Sequence, residues 1–462
     1  MVGGRPAVSA LRRLLPGLIL FLWILRFSTP SFFAAPPDAT TFVVMGEGMA
    51  AGMSHFGLGE TVQRWSFPSI VARQMGAFFP QPLFQEPGIG RAPGFPSAST
   101  QPPAPEQTTV RIGFPPTLFV FNLSVPGMRL ADALTTRPIP PLLHEGDPQQ
   151  TALNLILGYP VLALGESLPR WTQLEYAESM RPTMALIELG YFEALEAAVE
   201  ADPGLLPDPE EFRRNYAEIL KALGRLRASP VIVTTIPDPM DTAYFSTIES
   251  AAALLRLPAA ALAALYEFEP GTRIAAPGLY EIGVQLLSGR VGALPSKSLI
   301  SAEAAAVLSS RVQQLNGLIL ELAFEHGAVA YNLHGLFRRI RIEGNVAGER
   351  TLTADYLGGF YLLNGYYPGG VGHVLIANEI LSLLNQRHST AFLPTSVEEA
   401  AASDPAYLAR PAAGPLYTPN QLQRMLPPER RPEFLRRARG SEPPAPASAF
   451  PIRQPKRLKG GS

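Results

Sequence analysis

Residues able to do chemistry are few in this chain, and their spacing is poor for it. Ser54 and His55 adjoin each other, and a serine hydroxyl attacks an ester only when a nearby base takes its proton. Neighbouring residues on a helix or strand face different ways, so the pair is a weak dyad and Ser54 reads first as a surface polar residue. The other histidines are His144, His326, His334, His373 and His388. No two of them have the close helical spacing of a zinc site, so neither a metal nor a cofactor is expected. His373 opens the last helical segment shortly after Tyr367, where capping or packing is its ordinary use. Ser54, His55 and His373 are thus the candidates for a relocated reactive site. A second set is acidic and aromatic: Glu47, Tyr191, Glu193, Tyr366 and Tyr367. Two carboxylates beside tyrosines can do acid–base or glycosidase-like work, or hold a sugar or an amine without reacting.

The elements that must position these residues follow a doubly wound α/β rhythm from Thr41 onward. Five short apolar strands are expected, at Phe42-Val43-Val44-Met45, Leu118-Phe119-Val120-Phe121, Met184-Ala185-Leu186-Ile187, Val231-Ile232-Val233 and Ala328-Val329-Ala330-Tyr331. Helical periodicity covers 65–75, 301–325 and a last helix through Val371, Ile376, Ile380 and Leu384. Asp208-Pro209-Glu210-Glu211 opens another helix, with a capping aspartate, proline in the first turn and early acids. Glu47, Glu193 and the tyrosines fall where strands give way to turns, and open α/β sheets bind ligands at the carboxyl ends of their strands.

Two stretches interrupt the rhythm. Residues 78–116 are rich in proline and glycine and read as a surface loop. Residues 241–298 hold an apolar helix over 248–265 and then a looser stretch; this is either a lid-like cover for a cleft or an ordinary helical hairpin packed on the sheet. From 393 to 462 proline, alanine and arginine dominate, which predicts a basic, disordered tail. Such a tail either touches the envelope (anionic lipid, lipopolysaccharide or cell wall) or only solubilises the chain.

Arg5, Arg12 and Arg13 precede an apolar run over 14–25, with small residues before Pro36-Pro37. That is the form of a secretory signal over 1–35, and it predicts export. The run is shorter than the ~20 residues that span a bilayer; an uncleaved signal anchor is the alternative. The 462 residues carry 38 basic and 39 acidic side chains, so no net field draws the chain to nucleic acid. Cysteine is absent, which excludes disulfides, thiolate metal sites and a cysteine nucleophile. No pattern specifies an oligomer.

Three strings stand out in order: Asn122-Leu-Ser-Val-Pro-Gly127, Tyr176-Ala-Glu-Ser-Met-Arg-Pro182 leading to Gly190, and Asp355-Tyr-Leu-Gly-Gly-Phe360 leading to Gly365, Pro368 and Gly372. With the element order they resemble the GDSL-type SGNH hydrolases, a lipase and esterase superfamily, in its larger exported bacterial members. The resemblance implies a three-layer α/β/α, flavodoxin-like fold with a parallel sheet over 36–392. It also implies a serine in a Gly-Asp-Ser turn, an oxyanion asparagine in a Gly-x-Asn-Asp turn, and a histidine with an aspartate three residues before it.

Each of those side chains is replaced here. The first turn is Gly46-Glu47-Gly48, so Gly48 takes the nucleophile position and Glu47 the aspartate beside it. Phe192 replaces the oxyanion asparagine, Asn364 the aspartate and Tyr367 the histidine, whereas Gly127 is kept. In subtilisin, loss of the nucleophile or the base alone costs on the order of 10⁶ in kcat. The resemblance therefore implies a pseudoenzyme. Glu47, Gly48, Gly127, Tyr191, Phe192, Glu193, Tyr366 and Tyr367 should surround the former cleft. Three readings stay open for it: filled by Phe192 and Tyr367; open and binding an acyl, glycan or protein ligand; or rebuilt as a non-standard ester hydrolase. A structural envelope protein acting through its basic tail is a further alternative.

Overall fold

A computed structural model describes residues 36–53, 55–86, 88–90, 92–95, 110–111, 117–144, 146–165, 168–411 and 416–439. The signal-like segment 1–35 and the end of the chain from 440 lie outside the described residues.

Strands β1 (Phe42–Gly46), β2 (Met184–Glu188) and β3 (Val231–Thr234) have no exposed residue. Such unbroken burial belongs to strands covered on both faces, which is why they read as continuous apolar runs. Three short strands follow: β4 (Phe245–Ser246), β5 (Arg273–Ala275) and β6 (Leu299–Ile300). Strand β7 (Val329–Tyr331) completes the main sheet, which is parallel in the order β1-β2-β3-β7.

On the free side of β1 runs the segment through Asn122. Val44 donates to Phe121 O at 2.9 Å, Leu123 to Val44 O at 2.9 Å and Val125 to Gly46 O at 3.1 Å. Taken in chain order this is the 2-1-3-4-5 arrangement of flavodoxin-like sheets. The expected strand at 118–121 is corrected by this pairing. It has shrunk to one parallel bridge, Val44 to Asn122, and its ladder bonds have moved to 121–125.

Helices form the outer layers. Helix α1 (Gly48–Ala51) is a single turn after β1, and α2 (Phe67–Met75) packs against α11 (Gly370–His388). Helices α3 (Gln173–Met180), α4 (Tyr191–Val199), α5 (Pro209–Arg225) and α9 (Ala302–Glu325) make the other group. The expected cap of α5 is present: Asp208 Oδ1 accepts from Glu210 N at 2.9 Å and Glu211 N at 3.1 Å. Helix α10 (Leu333–Ile342) follows β7.

The 241–298 insertion corrects the single apolar helix expected in it. Its apolar stretch is not one helix but two, α6 (Ile248–Leu255) and α7 (Ala259–Tyr266), bent by 104°. Pro258 at the start of the second cannot continue the first. With α8 (Ala276–Ser288) and the small β4-β5-β6 sheet, they build a second hydrophobic core.

That core is closed by the chain end. Leu422, Leu426, Phe434 and Ala438 are buried in it, and α12 (Arg431–Arg439) packs on α7. The disordered tail expected from 393 is thus corrected as far as 439, outside the gap at 412–415. Its arginines predict a solvated coil, but its few apolar residues are spaced to complete the insertion's core, while Arg436 and Arg437 stay exposed and Arg430 donates to Leu265 O.

The loop expectation for 78–116 is corrected in part. Leu83–Phe84 pairs antiparallel with Val110–Arg111, and Phe84, Ile89 and Ala92 are buried.

Candidate functional site

The turn after β1 bends into α1 at Glu47, whose side chain caps that helix. Glu47 Oε1 accepts from Met49 N at 2.8 Å, and the Gly48 amide also favours its charged form. Its other oxygen accepts from the phenol of Tyr367 at 2.6 Å. Beneath lies Glu188, the last residue of β2, whose Oε2 accepts from Glu47 N at 3.3 Å and Ala50 N at 3.2 Å. The amides of this turn therefore serve carboxyl groups of the chain itself.

Tyr367 stands over Gly48. A Cβ placed on residue 48 would lie 2.5 Å from the tyrosine Oη and 2.8 Å from Cζ. The backbone under the ring is held by Asn364, whose Oδ1 accepts from Tyr366 N at 3.0 Å and Tyr367 N at 2.9 Å. Asn364 thus organises a turn. Tyr191 donates to Tyr366 O at 3.0 Å and meets the Tyr367 ring edge-on at 6.2 Å.

The next aromatic layer seals the group. Tyr244 packs on Tyr366 at 5.6 Å, Phe95 on Tyr244 at 5.6 Å, and Phe56 on Phe95 at 5.0 Å. Tyr366 and Tyr244 donate to Pro93 O and Gly94 O, each at 3.1 Å. The cover is therefore residues 92–95 with Tyr244, not the body of the 241–298 insertion. Glu47, Asn364, Tyr366 and Tyr367 are each 0% exposed, Tyr191 1%, and Gly48 and Gly127 are buried.

Phe192 and Glu193 sit nearer the surface. The Arg129 guanidinium lies 6.0 Å from the Phe192 ring and pairs with Glu196 at 2.6 Å, leaving Phe192 8% exposed. Glu193 Oε1 accepts from Leu130 N at 2.6 Å, and its buried Oε2 has no partner. Gly127 is covered by Gln149, which donates to Gly127 O at 2.7 Å. Of the readings left open, the filled one fits these positions, with Tyr191, Tyr366 and Tyr367 as the buried rings and Phe192 standing off beside Arg129.

Burial sets the electrostatics. Desolvation pushes the Glu47 carboxyl up to about 7, against the pull of the Tyr367 hydrogen bond. Glu193 is likewise raised to about 7 by burial, and Glu188 well above the ordinary range by burial and then by Glu47. The Tyr367 phenol is raised by burial and by the Glu47 charge, so it stays a donor. Such a cluster can share protons. No metal-ligating group of three or more His, Cys, Asp or Glu exists among the described residues.

Ser54 lies outside the described residues. His55 Nδ1 accepts from Leu363 N at 3.0 Å, and burial lowers its basicity. His373 is fully buried beside Phe67, accepting from Phe67 N at 3.3 Å with the rings stacked at 6.0 Å. Burial drives it down to about 3, so it is a neutral core residue.

Glu188 and Gln173 were missed in sequence. The signal for the first was an acid ending an otherwise apolar strand. Gln173 is fully buried and bridges β1 to its edge segment, donating to Gly46 O at 2.9 Å and Leu123 O at 2.8 Å.

No family model and no curated protein matches this chain. A solved structure described as LAE5, an alpha/beta hydrolase enzyme from the metagenome of Lake Arreo, Spain, is similar to it at 12% identity. The match covers 77% of this chain and 98% of that one, with a TM-score of 0.33. So loose a superposition assigns no site, and the α/β architecture stands on the strand order above.

Proposed function

We propose that this chain is a catalytically inactive protein of the SGNH/GDSL hydrolase type, exported from the cytoplasm, whose former active-site cleft serves stability and not turnover. The observation that carries this reading is Tyr367 seated over Gly48 and bonded to Glu47. Where the resemblance puts an attacking hydroxyl and its base there is a glycine under a fully buried phenol. Any ligand would then be met by other surfaces, the envelope among them. The basic side chains of the C-terminal segment suit that contact, because exposed arginines are drawn to anionic surfaces.

The test is a panel of p-nitrophenyl esters from acetate to palmitate, together with a fluorophosphonate probe for activated serines. Rates equal to a heat-denatured control, and no covalent labelling, are expected. Turnover abolished by alanine at Ser54, or stoichiometric labelling of any serine, would overturn the reading.

A further inference from the structure

A cavity of about 590 Å³ opens where the insertion meets the C-terminal segment, away from the filled cleft. Its size falls within the roughly 300–1,000 Å³ usual for small-molecule sites. One wall is aromatic: Tyr266 and Phe268 stack with ring centres 5.5 Å apart and planes 15° from parallel. Val291 and Leu294 also line it, and its charged groups are Arg430, Lys297 and the carboxylate of Glu267.

The walls are built, not incidental. Gln285 of α8 is 7% exposed and ties both sides together. Its Oε1 accepts from Tyr266 Oη at 3.1 Å and from Gly292 N at 2.8 Å, while its Nε2 donates to Ala293 O at 3.2 Å. Both cations are already paired: Arg430 with Glu267, which lines the same cavity, at 2.6 Å, and Lys297 with the half-exposed Glu200. Exposed pairs of this kind are worth little, so an incoming anion can exchange for the acid at small cost.

We infer that this cavity binds a single-chain anionic amphiphile, its headgroup against Arg430 and Lys297 and its apolar chain along the Tyr266–Phe268 pair, Val291 and Leu294. The inference does not depend on whether the former cleft is inactive.

Calorimetric titration of the full chain with dodecanoate, dodecanol and dodecyltrimethylammonium, all below their micelle concentrations, tests it. Dodecanoate should saturate at one per chain, with the cationic analogue at least about ten-fold weaker, as loss of a charge-assisted contact implies. Arg430→Gln should weaken dodecanoate by a similar factor. Because that change could loosen the second core, Lys297→Gln on the half-exposed loop gives an independent variant, which should also weaken binding while leaving the thermal melt unchanged. The same headgroup chemistry exists on phosphatidylglycerol vesicles, so co-sedimentation with these is the comparison arm. Absence of saturation, equal affinity for the cationic analogue, an affinity unmoved by either variant, or association with vesicles but not monomers would each overturn the inference.

Discussion

The phenol of Tyr367 fills the space in which a side chain on residue 48 would have to stand, with its Oη 2.5 Å from the Cβ that Gly48 lacks. The two positions are sterically complementary: the loss of one side chain makes room for the other. Glu47 fixes the pair by accepting the phenol hydrogen bond at 2.6 Å. A buried carboxyl here is tolerable because each of its oxygens has a donor.

That complementarity predicts the result of restoring a serine. Gly48→Ser should destabilise the fold by about 1–3 kcal/mol through overpacking, with no gain in ester hydrolysis. Adding Tyr367→His should recover much of the loss, since imidazole is smaller than phenol. A double-mutant cycle in urea would show the coupling, expected at about 0.5–3 kcal/mol. Strict additivity of the two changes would mean that the rings do not collide.

The buried acids predict an unusual dependence on pH. Glu47 and Glu193 ionise near 4.5 in the unfolded chain but at about 7 when folded. Between those values the folded state holds protons that the unfolded state has lost, so stability falls as pH rises. Their contribution is full below 4.5 and is lost as pH climbs through 7; Glu188 acts in the same direction. The expected slope is up to about 1.4 kcal/mol per pH unit for each group. Tm should therefore rise from pH 8 to pH 5, and Glu193→Gln should flatten the trend. A Tm that falls over this range in the unaltered protein would show that the cluster stays solvated.

The second core predicts coupling between distant parts of the chain. Phe434 is 2% exposed within it, and Phe434→Ala should cost about 3–5 kcal/mol. Hydrogen exchange should then quicken in α6, α7 and α8 while β1 and β2 stay protected. Equal loss of protection in the main sheet would make the two cores one cooperative unit.

Much of the architecture was legible because its signals are local. The apolar runs of β1, β2, β3 and β7, the cap at Asp208 and the glycine turns after strands each depend on a few adjacent residues. The edge strand at 118–121 was misplaced because its pairing rests on single backbone bonds at 121–125, which composition does not mark. The 248–265 helix failed at Pro258, a break that hydropathy averages away. The tail was misjudged because a window full of arginine outweighs Leu422, Leu426 and Phe434, whose value lies in a partner core absent from that window.

The sequence by itself determined a doubly wound α/β rhythm, with Gly48, Phe192, Asn364 and Tyr367 at its turns. It left open whether those turns enclose an empty cleft or a solid one. Only the tertiary structure decided that, because Tyr367 and Glu47 are 320 positions apart and nothing in either neighbourhood encodes their contact. Short-range pattern is set by propensity and periodicity, whereas the filling of a site depends on how far each element travels across the sheet before it turns back.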